Sequence, residues 1–387
     1  MKKRSLWAII ALAGLTISSC TNDEVIPNTS VDNAIEFGTY LGRDAQSRGI
    51  VLNNQFDNFG VFASYTGQDN WTHANTSNFM FNQLVENTNS AWTYSPKKYW
   101  PTTKNDMISF FAYAPHASQQ NDGVVVKSGS GDASVPVITY SIAAENLLTQ
   151  ADFVADVLMN VKKDGTGSSI DSAPRSVDFS LVHELTRLGI TAQLDRTAFD
   201  NNEANKTKIN IKSIKFVGEG EFYTSADYVF AATTNGRGRW DNKVNGGLDI
   251  AKLLDVATPA SDALGGYIEP GILLANTTSV SLFKKTDTEQ NYMFMIPVNE
   301  SGLTADGKIK MEVEYDIVTV DEALENNHIA TPTTKIIEFP AGSMKQGVAY
   351  NFHLTFGLNE VILTANVANW DETGSFESNV DWPKNDK

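Results

Sequence analysis

The sequence predicts an all-β protein built of antiparallel sandwiches. Three observations carry this. Apolar and polar residues alternate with a period of two in segment after segment, as in strands with one wet face. Gly, Asn, Asp and Ser cluster between those segments, as turns require. Only Leu248–Leu254 and Asp321–Asn326 suggest helices, and both are short. The chain has 387 residues, too long for one ordinary domain and suited to two.

The first nineteen residues read as a signal segment outside the fold. Lys2, Lys3 and Arg4 precede the apolar run Leu6–Leu15, which has the length of a signal core and is too short to span a membrane. The run leads to Ile17-Ser18-Ser19-Cys20, which resembles a bacterial lipobox. Cys20 is the only cysteine, so it has no intramolecular disulfide partner, and it stands where acylation requires it. Several acyl chains on one residue make a stable membrane anchor. Thr21-Asn22-Asp23-Glu24 resembles the acidic stretch that accompanies export to the outer face of the outer membrane in Bacteroidetes lipoproteins. Residues 20–33 then read as a lipidated tether.

In the body, Ile35, Phe37, Thr39 and Leu41 alternate with Glu36, Gly38 and Tyr40 and give a first strand. Further strands are expected at Phe59–Tyr65, Ile108–Ala114, Val177–Leu185, Tyr292–Val298, Ile309–Ile317, Tyr350–Phe356 and Val361–Val367. In Ile209–Val217 the apolar phase slips, which predicts a β-bulge near Lys212–Ser213. The turn-rich stretch Lys162–Pro174 suggests a boundary near residue 170, with sandwiches over 34–170 and 171–370. Residues 371–387 are too few for another domain. Within them Phe376, Ser378, Val380 and Trp382 alternate with Glu377, Asn379 and Asp381, a strand pattern that Pro383 stops.

Candidates for chemistry are sparse, and the reading is not an enzyme. No G-x-S-x-G, H-E-x-x-H or EF-hand pattern occurs. One cysteine and five scattered histidines argue against a metal site, and no cofactor is implied. A net charge of −16 argues against nucleic acid as partner. His183 falls in phase with Val177, Phe179 and Leu181, which suits a structural histidine, and His353 falls on a polar face and reads as solvated. Asp152 and Asp156 on one strand would lie about 13 Å apart, too far to cooperate. The aromatic-dense Trp92–Pro101 could stack on glycans but suits a core better, since the apolar strand Ile108–Ala114 follows closely. Asp171-Ser172-Ala173 matches a short O-glycosylation pattern that an Asp-rich chain contains by chance.

Five segments, taken in order, resemble one family. They are Ala34–Leu41 with Arg48-Gly49, then Trp92…Tyr99-Trp100-Pro101 leading into Ile108–Pro115, then Val177–Leu185, Gly347–Thr355, and Val361–Trp370. With the lipobox, they resemble the fimbrillins of Bacteroidales, the lipoprotein pilins of type V pili. The resemblance implies two tandem transthyretin-like β-sandwich domains and a lipoprotein precursor. It also implies cleavage after an Arg by a trypsin-like protease, then donor-strand polymerisation with other pilin subunits. Arg48, followed by Gly49, is the favoured cleavage site, with Arg43 the alternative, both in a polar loop-like stretch. Ile35, Phe37 and Leu41 would belong to the displaced strand, and Phe376, Val380 and Trp382 to the donor strand. The expectation is a structural or adhesive pilus subunit, lipid-anchored and surface-exposed at the outer membrane and then part of the fimbrium. The alternative is a non-polymerising surface lipoprotein, an anchor or tip-type adhesin, that binds a glycan or protein on a host or bacterial surface.

Overall fold

The computed structural model describes residues 33–41, 56–103, 105–117, 123–127, 135–142, 151–162, 176–195, 198–199, 206–218, 222–246, 250, 254–260, 264–283, 292–298 and 309–368. Among them there is no α-helix. Strands are numbered in chain order.

A seven-stranded sheet has the order β1 (Glu36–Leu41), β9 (Ser176–His183), β8 (Val154–Lys162), β5 (Met107–Ala114), β2 (Asn58–Gly67), β3 (Met80–Thr88) and β4 (Ala91–Thr93). Its two ends approach each other, with β1 against β4 and Ala34 bridging to Tyr99. The sheet therefore curls around a core that includes Ile35, Phe37, Phe59, Phe110 and Phe179. Its outer face packs on a second sheet, β13 (Arg239–Asn245), β12 (Tyr223–Val229), β7 (Val137–Ser141) and β6 (Val124–Val126). Phe153 meets Tyr228 at 5.0 Å there, and Phe111 meets Phe230 at 5.7 Å. Every residue of β5 is buried because its two faces serve two cores: Ile108 and Phe110 point inward, Phe111 and Tyr113 toward the second sheet.

The other half pairs two sheets. One runs β15 (Val280–Ser281), β10 (Thr186–Leu194), β19 (Ala349–Phe356) and β20 (Val361–Ala368), with β16 (Met293–Met295) also on β10. The other runs β14 (Ile272–Leu274), β11 (Thr207–Gly218), β17 (Ile309–Val320) and β18 (His328–Glu338). Tyr315 and Phe356 meet across them at 5.1 Å. The expected bulge lies between Ile211 and Ser213, where β11 slips against β17.

Several expectations are corrected. Asp321–Asn326 is the turn between β17 and β18: Asp321 accepts the Ala323 amide at 3.0 Å through its side chain, a local bond that competes with a helix. Most of Leu248–Leu254 lies outside the described residues, and Leu254 makes an isolated bridge to Phe283. The sheets are not wholly antiparallel. β1 runs parallel to β9 and β10 parallel to β19, pairs whose members are far enough apart in sequence to allow a crossover. Strand pairing also crosses the expected boundary near residue 170. β9 borders β1 and β8, and β12 completes the sheet begun by β6 and β7.

Candidate functional site: the seat of the first strand

The first strand sits at a sheet edge yet is anchored in the core. Alternation turns Ile35, Phe37 and Thr39 inward, where all three are buried, and leaves Glu36 exposed. The Phe37 ring lies 5.2 Å from Tyr94, 5.9 Å from Phe179, 6.1 Å from Phe59 and 6.2 Å from Phe110. Edge-on and stacked contacts of this kind add to the area buried.

The entrance is clasped by the segment after β4. Asn33 exchanges bonds with Trp100: the Trp100 amide donates to the Asn33 carbonyl at 3.0 Å, and the Asn33 side chain donates to the Trp100 carbonyl at 2.8 Å. The Ile35 amide donates to the Lys98 carbonyl at 2.9 Å, and the Tyr94 hydroxyl donates to the Ile35 carbonyl at 2.8 Å.

On its other side β1 pairs with β9 over six positions, from Glu36↔Ser176 to Leu41↔Leu181. β9 meets β8 at only two, Val154↔His183 and Ala155↔Val182. Further up β9 the strands part, and the buried Asp156 carboxylate accepts the Ser180 amide at 2.8 Å. Strand β1 is thus the ladder partner of residues 176–181 of β9. A Cβ at Gly38 would come within 2.1 Å of Oδ1 of the exposed Asp178 side chain, which would have to turn aside.

Of the residues singled out from the sequence, Phe37 and Leu41 fall on β1 and Ile35 immediately before it, with Ile35 and Phe37 in the core. Cys20, Arg43, Arg48, Ser172, Phe376, Val380 and Trp382 lie outside the described residues. Within Trp92–Pro101, Tyr94 and Trp100 are buried against β1, whereas Tyr99 is 56% exposed. The sequence marked this segment as aromatic but carried no sign that it clasps β1. Gly38 and Asp156 were likewise missed as parts of the seat.

His183 Nδ1 is bonded to the Asp152 carboxylate, a structural role. Asp152 and Asp156 serve different partners, His183 and Ser180. His353 is not solvated as expected: it is half-buried, bonds the Thr191 hydroxyl at 2.8 Å, and burial lowers its pKa. Among the described residues no cluster of three or more His, Cys, Asp or Glu could hold a metal, and no helix is long and apolar enough to cross a membrane.

Residues 46–370 match the fimbrillin-like family. The chain belongs to that family. The fimbrillin-like family is one of fimbrial structural subunits, not an enzyme family. The chain is 27% identical over 405 aligned positions to fimbrium subunit Fim1C of Phocaeicola vulgatus, covering 98% of this chain and 100% of that one. A crystal structure of a fimbrial protein from Bacteroides vulgatus superposes with a TM-score of 0.67 at 23% identity, over 87% of this chain and 100% of that chain, so this fimbrillin-like chain shares its fold.

Proposed function

We propose that the chain is a structural or adhesive subunit of a surface pilus, and that β1 is its exchangeable strand. Export ends with acylation at Cys20, which anchors the precursor at the outer membrane. A trypsin-like protease then cuts after Arg48, or after Arg43, beyond the C-terminal end of β1. The severed strand leaves with the anchor, and the tail of a neighbouring subunit, through Phe376, Val380 and Trp382, takes its place.

The observation that carries this reading is the pairing of β9. Residues 176–181 have β1 as their ladder partner, while β8 meets β9 at two positions only. Losing β1 would bare a row of backbone donors and acceptors beside the apolar pocket around Phe37, a template for a replacement strand. The competing reading, a non-polymerising surface lipoprotein, draws on exposed aromatics such as Tyr99 and Phe81.

The test is limited trypsin treatment of the folded chain, with N-terminal sequencing and electron microscopy. The expected result is a new N-terminus at Gly49 or Asp44, loss of residues 33–41 from the particle, and filaments. A segment that stays bound after cutting, with no polymer, would sink the reading. Undiminished glycan binding by such a particle would favour its competitor.

A further inference from the structure

We propose that, once β1 has left, the chain's own tail (residues 371–387) can fill the β1 seat of the same molecule. It would run antiparallel to β9 and hold the subunit as a capped monomer. This rests on the reading above, in which the seat empties and the tail is a donor strand.

The first ground is where the described chain ends. Arg187 pairs with Ala349, and Ala349 pairs with Ala368. The last described residue of β20 therefore lies level with the start of β10, at the waist between the two halves, and not at the far end of the second sandwich. Only Glu184 and Leu185 separate β9 from β10, with a bend at Leu185, so the two strands follow each other directly across that waist.

The second ground is the flank of these two strands. The Ser180 and Glu184 amides, both even-numbered, turn toward β8 and its approach, to the Asp156 carboxylate and the Phe153 carbonyl. The odd-numbered Leu185 carbonyl and Arg187 amide bond Gly347 and Val348, at the head of β19. Backbone groups alternate sides along a strand. The even-numbered amides before the bend at Leu185 thus face β8 and the odd-numbered groups at and after it face β19, so β1 along β9 and β19 and β20 along β10 share the odd-numbered flank.

Reach is sufficient. From the level of Arg187 to that of Leu181, allowing one strand spacing sideways, is at most about 20 Å, since the bend at Leu185 only shortens it, and the eight steps from Ala368 to Phe376 extend to roughly 26 Å.

The side-chain pattern then chooses the direction. Antiparallel to β9, one register puts Phe376 at the level of Leu41, Ser378 at Thr39, Val380 at Phe37 and Trp382 at Ile35. Large apolar residues meet large apolar levels, and a hydroxyl meets the one buried hydroxyl, Thr39. In the parallel direction, aligning Phe376 with Phe37 puts Gly374 at the fully buried Ile35 level and Trp382 past the end of β1. A tail leaving the waist and entering its own seat runs antiparallel. A strand tethered this closely has an effective concentration in the millimolar range, so it outcompetes neighbours' tails until subunits are crowded.

The test is a cysteine pair, Asp178→Cys with Asn379→Cys, in the full chain matured by Arg cleavage. The register sets these two positions opposite each other, Asp178 is exposed, and Cys20 departs with the excised segment. At low micromolar concentration the expected result is loss of the free-thiol signal through a bond within one chain. Slowed hydrogen exchange at Phe376–Trp382 should accompany it. The uncut chain, with β1 in place, should form no such bond. Mixing chains that carry one substitution each reports donation between subunits. A dilute cleaved monomer without the intrachain bond overturns the cap. If bonds then form only between chains, the donor-strand reading survives, and filaments with neither kind of bond overturn both.

Discussion

Asp156 accepts the backbone amide of Ser180 at 2.8 Å, in the gap where β9 has parted from β8. The carboxylate replaces a missing ladder bond, and at 1% exposure water cannot take over its part. It holds β9 in position to receive β1. Asp156→Ala should destabilise the chain by about 2 kcal/mol, because a part-buried amide loses its acceptor. Asp156→Asn, which keeps an acceptor, should lose about half as much. Urea denaturation of both variants checks this. Equal losses would show that the bond to Ser180 is not what matters there.

The waist is held by a second buried carboxylate. Glu184 is fully buried between β9 and β10, and the side chain of Gln346, just before β19, donates to it and, at 3.0 Å, to the Gly238 carbonyl. Trp240 of β13 donates its indole N–H to the Glu184 carbonyl at 2.8 Å. Both halves of the molecule thus meet on one residue. Gln346→Ala should cost about 2 kcal/mol, since it takes a donor from a fully buried carboxyl group. Calorimetry should show a lower unfolding temperature than the parent's. A variant as stable as the parent would remove Gln346 from the junction.

How far the sequence foretold this depends on the range of the interaction. Strand β17 was legible because Ile309, Met311, Val313 and Tyr315 are buried while Lys310, Glu312 and Glu314 alternate with them as partly exposed groups. The bulge at Lys212 was legible for the same reason, since a slipped phase is a local signal. Strand β1 was legible as a strand, but not its parallel partner: nothing near Phe37 points to Val177, some 140 residues on. The clasp by Tyr94 and Trp100 was hidden because their aromatic character suits any core. Likewise, Lys162–Pro174 reads as a break between domains, although it joins β8 to β9, two members of one sheet. Composition cannot tell a loop within a sheet from a linker.

Acid should loosen the second sheet of the first half through Asp227. Burial pushes its carboxyl up, but bonds from Lys127, from Thr139 at 2.7 Å and from Asn242 at 2.7 Å outweigh this and hold it below its ordinary 3.8. Its folded value is depressed, so the stability it contributes is present above 3.8 and is lost as pH falls through the folded value. In that window the unfolded chain binds more protons. The stability gap between the parent and Asp227→Asn should therefore be widest near neutrality and shrink below about pH 4. Denaturation midpoints across this range measure it, and parallel pH curves would refute the assignment.

The tail should govern assembly without governing the fold. Its strand pattern places Phe376, Val380 and Trp382 on one face, and each would gain on the order of 1.5–3 kcal/mol on entering an apolar seat. The seat in the uncut chain is already filled by Ile35 and Phe37. Phe376→Asp with Val380→Asp should therefore leave the uncut chain's melting temperature unchanged. After Arg cleavage the same variant should form no detergent-resistant polymer, because two carboxylates cannot enter the pocket around Phe59, Phe110 and Phe179 without a large desolvation cost. Circular dichroism of the uncut protein and gel analysis of the cut protein separate the two effects. A variant that unfolds before cleavage would place the tail in its own core, and one that polymerises like the parent would exclude the tail as donor.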